Sequence, residues 1–397
     1  MPMTYRTADE DDWPAICHVD GRSFGFLYTE EQMERARPLH DISRFEVAVD
    51  RKEVVGVVGV FTLRVTVPGG AQLPMGGVTW VSTAATHRRQ GVLTELIARS
   101  LADIDRRGEP VAMLGASESG IYERFGFGAA TQLRSTTLDR RLTELRPEFR
   151  PKPGTVRFVA GDDAAEHVSK IWSRFHAQRA GEVARNQVWH RMLFDMNARP
   201  RGGFSPAFYL AHRDGYAIYR IEEHWNDGQP AHELQVVELA AITGDAHAAL
   251  WHTLLGVDLV GRITSRQIPI DDPLPYLLTN PRALQTTGFM DGYWVNVRDP
   301  VASFSARSYS SHDRIVIEVD GRRWAIEGGP DGGTCTRVRS RPDLTMSIAT
   351  LGVLLLGGVH ATTLAAGRRI DARNDEALRR ADVFFLTSPA PHCQTHY

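Results

Sequence analysis

One junction between a strand-like and a helix-like segment constrains the fold of this 397-residue chain more than any other feature. Residues 78–83 read as a short β-branched strand, and apolar residues then recur at helical spacing from 93 to 104. Arg106, Arg107 and Gly108 are typical of a helix C terminus, and residues 111–114 follow as a buried strand. This order predicts a β-α-β unit in which the two strands are parallel.

The loop that enters this helix carries Arg88, Arg89 and Gly91. A helix start presents unpaired N–H groups and the positive end of the helix dipole, which together favour a bound phosphate. Gly91 lets the backbone approach an anion, and the two arginines add charge suited to a pyrophosphate. The motif alone leaves open the alternative of a solvated basic helix start.

A second motif follows the second strand, where residues 116–127 read Ala-Ser-Glu-Ser-Gly-Ile-Tyr-Glu-Arg-Phe-Gly-Phe. We predict a short helix that Ser117 opens and Gly126 closes. The pair of motifs resembles the Gcn5-related N-acetyltransferase (GNAT) superfamily, in which Arg/Gln-x-x-Gly-x-Gly/Ala binds the pyrophosphate of acetyl-CoA and Tyr-x-x-x-Gly-Phe supplies a tyrosine near the thiol. Leu93 departs from the first pattern, which has Gly or Ala at that position.

The resemblance implies acetyl-CoA as co-substrate, and the strand before the loop has a physical role to match. The pantetheine arm carries amides that can pair with the backbone of Val81 and Thr83 by β-augmentation, and an N–H there could polarise the thioester carbonyl. The predicted cofactor-binding residues are Val81, Thr83, Arg88, Arg89, Gly91, Val92, Leu93, Thr94 and Ser117.

Tyr122 is the predicted general acid. An amine that displaces CoA leaves the sulfur as a thiolate, and the pKa of a free thiol, about 8.5, is close to the value of about 10 for a phenol. A phenol can therefore protonate the departing sulfur. The alternative for any tyrosine taken alone is a half-buried core residue, and the context of Gly126 and Phe127 favours the catalytic role.

More of the chain resembles the enhanced-intracellular-survival (Eis) acetyltransferases of bacteria. The likeness is carried by residues 10–14 (Glu-Asp-Asp-Trp-Pro), 23–24, 86–91, 116–126, 214–220, 272–275 and 363–366. It implies an α/β (α+β) architecture of tandem GNAT folds with mixed central sheets, followed by a sterol-carrier-like domain. A proline-rich linker near residues 145–155 divides the first two blocks, so the predicted domains are 1–145, 146–292 and 293–397, of which only the first keeps the cofactor motif.

The Eis resemblance also implies a homohexamer that acetylates amines, including aminoglycosides and lysine side chains. It further implies that the free C-terminal carboxylate acts as the base, and here that group belongs to Tyr397. A terminal carboxyl is ionised at pH 7, although a frayed tail is the usual state of a chain end. Phe24 is predicted to be either an apolar wall of the acceptor site or an ordinary core phenylalanine. Phe26 and His396 stand where acidic residues would attract polycationic amines, which argues against broad aminoglycoside activity.

Composition excludes several other classes of protein. The 46 Lys+Arg and 48 Asp+Glu leave a net charge of -2, so neither nucleic acid nor an anionic membrane is a predicted partner. Three scattered cysteines are consistent with a reducing cytoplasm and do not form the pattern of a zinc ribbon. His392, Cys393 and His396 lack a second pair of ligands elsewhere, so no metal is predicted.

Two other functions stay open, namely a lipid- or sterol-binding carrier with a vestigial acetyltransferase domain and a scaffold for other proteins.

Overall fold

The computed structural model describes residues 3–397. Its strands, in chain order, are β1 (Thr4–Thr7), β2 (Phe45–Asp50), β3 (Glu53–Thr66), β4 (Gln72–Thr83), β5 (Val111–Gly115), β6 (Gly128–Ala129), β7 (Gln132–Asp139), β8 (Arg157–Val159), β9 (Phe208–His212), β10 (Gly215–Glu222), β11 (Trp225–Asn226), β12 (Gln229–Pro230), β13 (His232–Ala241), β14 (Val260–Ile268), β15 (Leu284–Asp291), β16 (Tyr293–Val297), β17 (Asp313–Val319), β18 (Arg322–Gly329), β19 (Gly332–Arg337), β20 (Leu344–Met346) and β21 (Ile370–Ala372). Its α-helices are α1 (Trp13–Phe24), α2 (Glu30–Ala36), α3 (Val92–Arg106), α4 (Gly161–Phe175), α5 (Gln187–Asn197), α6 (Gly244–Leu255), α7 (Leu274–Leu277), α8 (Pro300–Ser305), α9 (Ile348–Leu356), α10 (Ala361–Ala366) and α11 (Asp375–Phe385).

These elements form two compact units. The first comprises the chain up to Thr131, Gly292–Thr387 and Thr395–Tyr397, and the second comprises Gln132–Asp291 and Ser388–Gln394. The first unit contains a seven-stranded sheet of order β1-β2-β3-β4-β5-β16-β6 and a five-stranded sheet of order β19-β18-β17-β20-β21. The second contains a seven-stranded sheet of order β15-β7-β14-β13-β10-β9-β8. The mixed α/β class predicted from the sequence is therefore confirmed.

The predicted β-α-β unit is present in the first sheet. Strand β4 is longer than the predicted 78–83, and it pairs in parallel with β5 only over three residues, from Met75 opposite Val111 to Gly77 opposite Met113. On its other side β4 stays paired with β3 as far as Thr83. The parallel strands therefore part after Gly77, which opens a wedge beside the second half of β4.

Helix α3 closes one side of this wedge because its apolar stripe is buried against the sheet. Leu96, Ile97 and Ile104 lie on that stripe and are almost fully buried. Gly108 follows the helix with a φ of 67°, a left-handed conformation in which glycine is the favoured residue. The sequence periodicity predicted this helix to within one residue at its start.

Two strands lie in sheets other than those the predicted boundaries at 145 and 292 imply. Strand β7 was predicted to belong with the first domain, but it lies between β15 and β14 in the second unit. Strand β16 was predicted to begin the third domain, but it lies between β5 and β6 in the first unit. Strand propensity does not specify which sheet edge a strand joins, because pairing partners are chosen by tertiary contacts. The division into three domains stays a prediction.

The second unit repeats the strand-helix-strand order of the first. Strands β13 and β14 pair in parallel from His232 to Val236, and α6 follows β13. Thr243 caps this helix with its side chain, and Asp245 lies in the first turn. An anion at this helix start would therefore meet the negative charge of Asp245 and N–H groups already bonded to the Thr243 side chain.

The dipeptide Asp320-Gly321 in the sequence predicts a two-residue hairpin, and in the five-stranded sheet it joins β17 to β18 as an antiparallel pair. Asp320 and Gly321 have φ values of 50° and 73°, as a two-residue turn of the I′ type requires. Helix α9 contains most of an apolar run at residues 348–359 of the sequence, and its residues from Ala349 to Leu356 are all buried. None of the helices described, α9 included, has the length and apolar character that a bilayer crossing requires.

Candidate active site

The loop that enters α3 has the backbone geometry of an anion site. Gly91 is the N-cap residue with a φ of 83°, and it supplies no side-chain acceptor for the N–H groups of the first turn. Arg88 and Arg89 are exposed, and no acid among residues 3–397 forms an ion pair with either. The helix start and the two arginines therefore offer free positive charge to a ligand.

The free edge of β4 follows from the parting of β4 and β5. Val81 and Thr83 lie in this part of β4, and both are half-buried. Trp80 precedes them with a φ of 51°, beside an irregularity in the pairing of β3 and β4. Such a bulge bends the strand and leaves backbone N–H and C=O groups unpaired. These groups can form hydrogen bonds with an extended ligand that contains amides.

Tyr122 lies at the inner end of the same wedge. The side chain is 6% exposed, and its ring meets the edge of the Phe127 ring with 6.3 Å between centroids. Burial, assisted by the negative charge of Glu118, raises the pKa of Tyr122 to about 12. The phenol is consequently protonated throughout the physiological range and is available as a hydrogen-bond donor.

The segment before Tyr122 is not the short helix predicted between Ser117 and Gly126. Turns occupy this region, and only Glu123–Phe125 forms a 3₁₀ turn. The segment is too short to offset the cost of helix nucleation, and Gly120 lowers its helix propensity further. The predicted closing glycine is correct, because Gly126 has a φ of 87°. Asn296 fixes the turn by donating from Nδ2 to the carbonyl of Phe125 at 2.8 Å.

The C-terminal Tyr397 is packed rather than frayed. Its ring stacks on Tyr293 with 4.9 Å between centroids and meets the edge of Phe61 at 6.2 Å. A methyl group at Gly77 of β4 would come within 3.0 Å of this ring, so the glycine makes room for it. The hydroxyl of Tyr293 also donates to the carbonyl of Thr395.

The loop before α3, the second half of β4, Tyr122 and Tyr397 line one cavity of about 920 Å³, near the upper end of the range for small-molecule sites. The cavity brings together every predicted catalytic and cofactor-binding residue: Val81, Thr83, Arg88, Arg89, Gly91, Val92, Leu93, Thr94, Ser117, Tyr122 and Tyr397. Phe24 also lines it, as predicted for an apolar wall. Phe26 is outside the lining and packs on Tyr28, with 4.8 Å between ring centroids, and His396 is exposed and also outside the lining.

The sequence analysis missed several lining residues, namely Asp20, Tyr28, Trp80, Ser82, Glu118 and Arg124. Arg124 and Glu118 lie within the second motif and could have been found there. Asp20 and Tyr28 precede the cofactor motif by more than 50 residues and belong to no motif. Among residues 3–397, no group of three or more His, Cys, Asp or Glu side chains lies in an arrangement that could hold a metal ion.

Comparison with known proteins gives a consistent result over the whole chain. The acetyltransferase (GNAT) domain family matches residues 4–130, a second acetyltransferase (GNAT) domain family matches 181–298, and the sterol carrier protein domain family matches 300–394. The N-acetyltransferase Eis of Mycobacterium tuberculosis is 37% identical over 98% of both chains. An uncharacterized N-acetyltransferase of Streptomyces avermitilis is 34% identical, also over 98% of both chains.

Solved structures agree with these sequence matches. The crystal structure of Eis1 from Mycobacterium abscessus has a TM-score of 0.88 at 31% identity and covers 100% of both chains. A GCN5-related N-acetyltransferase from Anabaena variabilis has a TM-score of 0.84 over 100% of both chains, and its 14% identity supports the fold alone.

Proposed function

The chain belongs to the Eis family of GNAT N-acetyltransferases and is an enzyme that transfers acetyl groups to amines, and we propose that the cavity beside β4 is where it does so, by direct transfer in a ternary complex. The observation that carries this proposal is the convergence of the anion loop, the free edge of β4, Tyr122 and Tyr397 on one cavity. GNAT acetyltransferases use acetyl-CoA, which supplies the activated acetyl thioester.

In this proposal the loop and the strand hold the cofactor. Arg88, Arg89 and the amides of residues 92–94 bind the pyrophosphate, while the backbone of Val81 and Thr83 pairs with the pantetheine arm. The fit is supported by the absence of any acid paired with the two arginines among the described residues and by the left-handed Gly91 at the helix start. Ser117 lines the same cavity and contributes a hydroxyl near the arm.

The chemical step is assigned to two groups of the chain. The terminal carboxylate of Tyr397 takes the proton of the acceptor ammonium, directly or through water. The free amine then attacks the acetyl carbonyl carbon, the new C–N bond replaces the C–S bond, and the sulfur leaves as the thiolate of CoA. The phenol of Tyr122 stabilises the departing sulfur as a hydrogen-bond donor. Its raised pKa makes it a weaker acid than a thiol, so the donated hydrogen bond contributes more than complete transfer of the proton.

The acceptor is proposed to be a primary amine of a small molecule or of a lysine side chain. Phe26 and His396 both lie outside the cavity lining, so these two residues give no structural ground for excluding aminoglycosides as acceptors. We propose a homohexamer, as the family resemblance implies, and a cytoplasmic location, which the three scattered cysteines favour. The carrier alternative is not favoured, because both GNAT family matches and the Eis relatives indicate an enzyme.

The cofactor assignment is tested by replacing Arg88 and Arg89 together with alanine. Loss of two phosphate contacts at an exposed loop should raise the KM for acetyl-CoA about 10- to 100-fold, with a smaller change in kcat. The matched control is the double alanine variant at Arg106 and Arg107, an equally basic pair at the far end of α3 that binds Asp103 instead. CoA thiol release in the presence of an amine panel is the readout. An unchanged KM would show that the pyrophosphate binds elsewhere.

A further inference from the structure

Asp20 is a buried acid in the wall of the cavity and has no role in the mechanism above. It belongs to α1, is 5% exposed, and lines the cavity beside β4. One carboxylate oxygen accepts a hydrogen bond from the hydroxyl of Ser82 at 2.7 Å, and the other accepts one from the hydroxyl of Tyr28 at 3.1 Å. Both partners are neutral.

Asp20 differs in this respect from the other buried acids of the first unit. Each of the others pairs with an arginine: Asp12, Glu46, Asp103, Glu109 and Asp343. No lysine or arginine among residues 3–397 forms an ion pair with Asp20. A carboxylate removed from water is stable only when a cation or several hydrogen bonds compensate the lost solvation. Burial accordingly raises the pKa of Asp20, although its two hydrogen bonds oppose the rise.

The surroundings of Asp20 suit an organic cation. Its partner Ser82 lies in β4 between Val81 and Thr83, so the carboxylate is one hydrogen bond away from the strand that we assign to the thioester. Its other partner, Tyr28, stacks on Trp80 with 5.6 Å between ring centroids. A single carboxylate beside aromatic rings attracts an ammonium by charge and by cation–π interaction.

We propose that Asp20 binds the ammonium group of the acceptor and holds the acceptor nitrogen beside β4. This inference is based on the function proposed above and adds the residue that selects an ammonium over a neutral acceptor. The ammonium of the substrate then supplies the countercharge that Asp20 lacks, and the buried ion pair forms only when the substrate enters. The terminal carboxylate of Tyr397 remains the group that takes the proton.

The test compares two probes of one shape, benzylamine and benzyl alcohol, with the full-length wild-type protein and the Asp20→Asn variant. Asparagine keeps the size and removes the charge; its carbonyl oxygen can still accept from one of the two hydroxyls, and its NH2 group can donate to the oxygen of the other. By calorimetry without acetyl-CoA, we expect benzylamine affinity to fall about 10- to 100-fold and benzyl alcohol affinity to change less than about threefold. Asp12→Asn is the matched control, because this equally buried acid lies outside the cavity lining and should leave benzylamine affinity unchanged.

A second variant distinguishes loss of the Asp20 charge from structural damage around Asp20. Tyr28→Phe removes one hydroxyl donor but keeps the carboxylate charge, so benzylamine affinity should fall less than about threefold. Equal losses in Tyr28→Phe and Asp20→Asn would overturn the proposal and give Asp20 a purely structural role. Failure of the wild-type protein to bind benzylamine would overturn it as well. Thiol release from acetyl-CoA is measured separately, so a failure of the proposed transfer reaction is distinguishable from a failure at Asp20.

Discussion

Replacing Tyr122 with phenylalanine should lower kcat about 10- to 100-fold. A well-matched general acid contributes about 10²- to 10⁴-fold, but burial raises the pKa of this phenol to about 12, above the value of about 8.5 for a free thiol. Complete proton transfer to the sulfur is therefore unfavourable, and the expected loss is that of one hydrogen bond to a developing anion, about 1.5–3 kcal/mol. The ring of the variant still fills the space beside Phe127, so acetyl-CoA affinity should change little.

The assay is CoA thiol release at saturating acetyl-CoA, with the KM for acetyl-CoA measured in parallel. Tyr309→Phe is the matched control, because Tyr309 is also buried in the first unit and donates to the carbonyl of Phe304 at 2.6 Å, away from the cavity. This control should lose some stability with the bond to Phe304 but should keep its turnover number. The pH profile of kcat gives a second check, because a phenol with a pKa of about 12 stays protonated and should produce no alkaline decline near pH 10. An unchanged kcat in Tyr122→Phe would remove the phenol from the mechanism.

Two further predictions concern the chain end and a buried histidine. A C-terminal peptide extension moves the free carboxylate away from Tyr397 and should lower thiol release at least about 10-fold. An N-terminal extension of equal length serves as the control. Full activity of the C-terminally extended chain would exclude the terminal carboxylate as the base. His40 is kept neutral because burial lowers its pKa to about 4, while Trp80 Nε1 donates to its Nε2 and its Nδ1 is bonded to the Ala36 carbonyl. Below about pH 6.5 the unfolded chain binds a proton at His40, whereas the folded chain does not. The free energy of unfolding should therefore fall by up to about 3 kcal/mol as the pH drops from 6.5 to 4. His40→Gln should flatten this dependence in thermal denaturation and the exposed His18→Gln should not; equal slopes would contradict the assignment.

Two strands illustrate what the sequence leaves undetermined, namely the sheet that each of them joins. Strands β7 and β16 have ordinary strand composition, and nothing in their residues specifies the sheet that each one joins. In the structure Tyr293–Val297 pairs with β5 on one side and with β6 on the other, more than 160 residues away along the chain. Pairing of this kind depends on which sheet edge is free once the rest of the unit has packed.

The sequence by itself determined the local features that bind an anion and form a β-α-β unit. Periodicity fixed α3, the turn chemistry of Asp320 and Gly321 fixed a hairpin, and the spacing of Arg88, Arg89 and Gly91 identified the loop at the helix start, because each depends on neighbours only a few residues apart. Only the tertiary structure decided which distant side chains share the cavity. Asp20 stands 62 residues from its partner Ser82, so its lack of a countercharge became visible only when α1 had packed against β4.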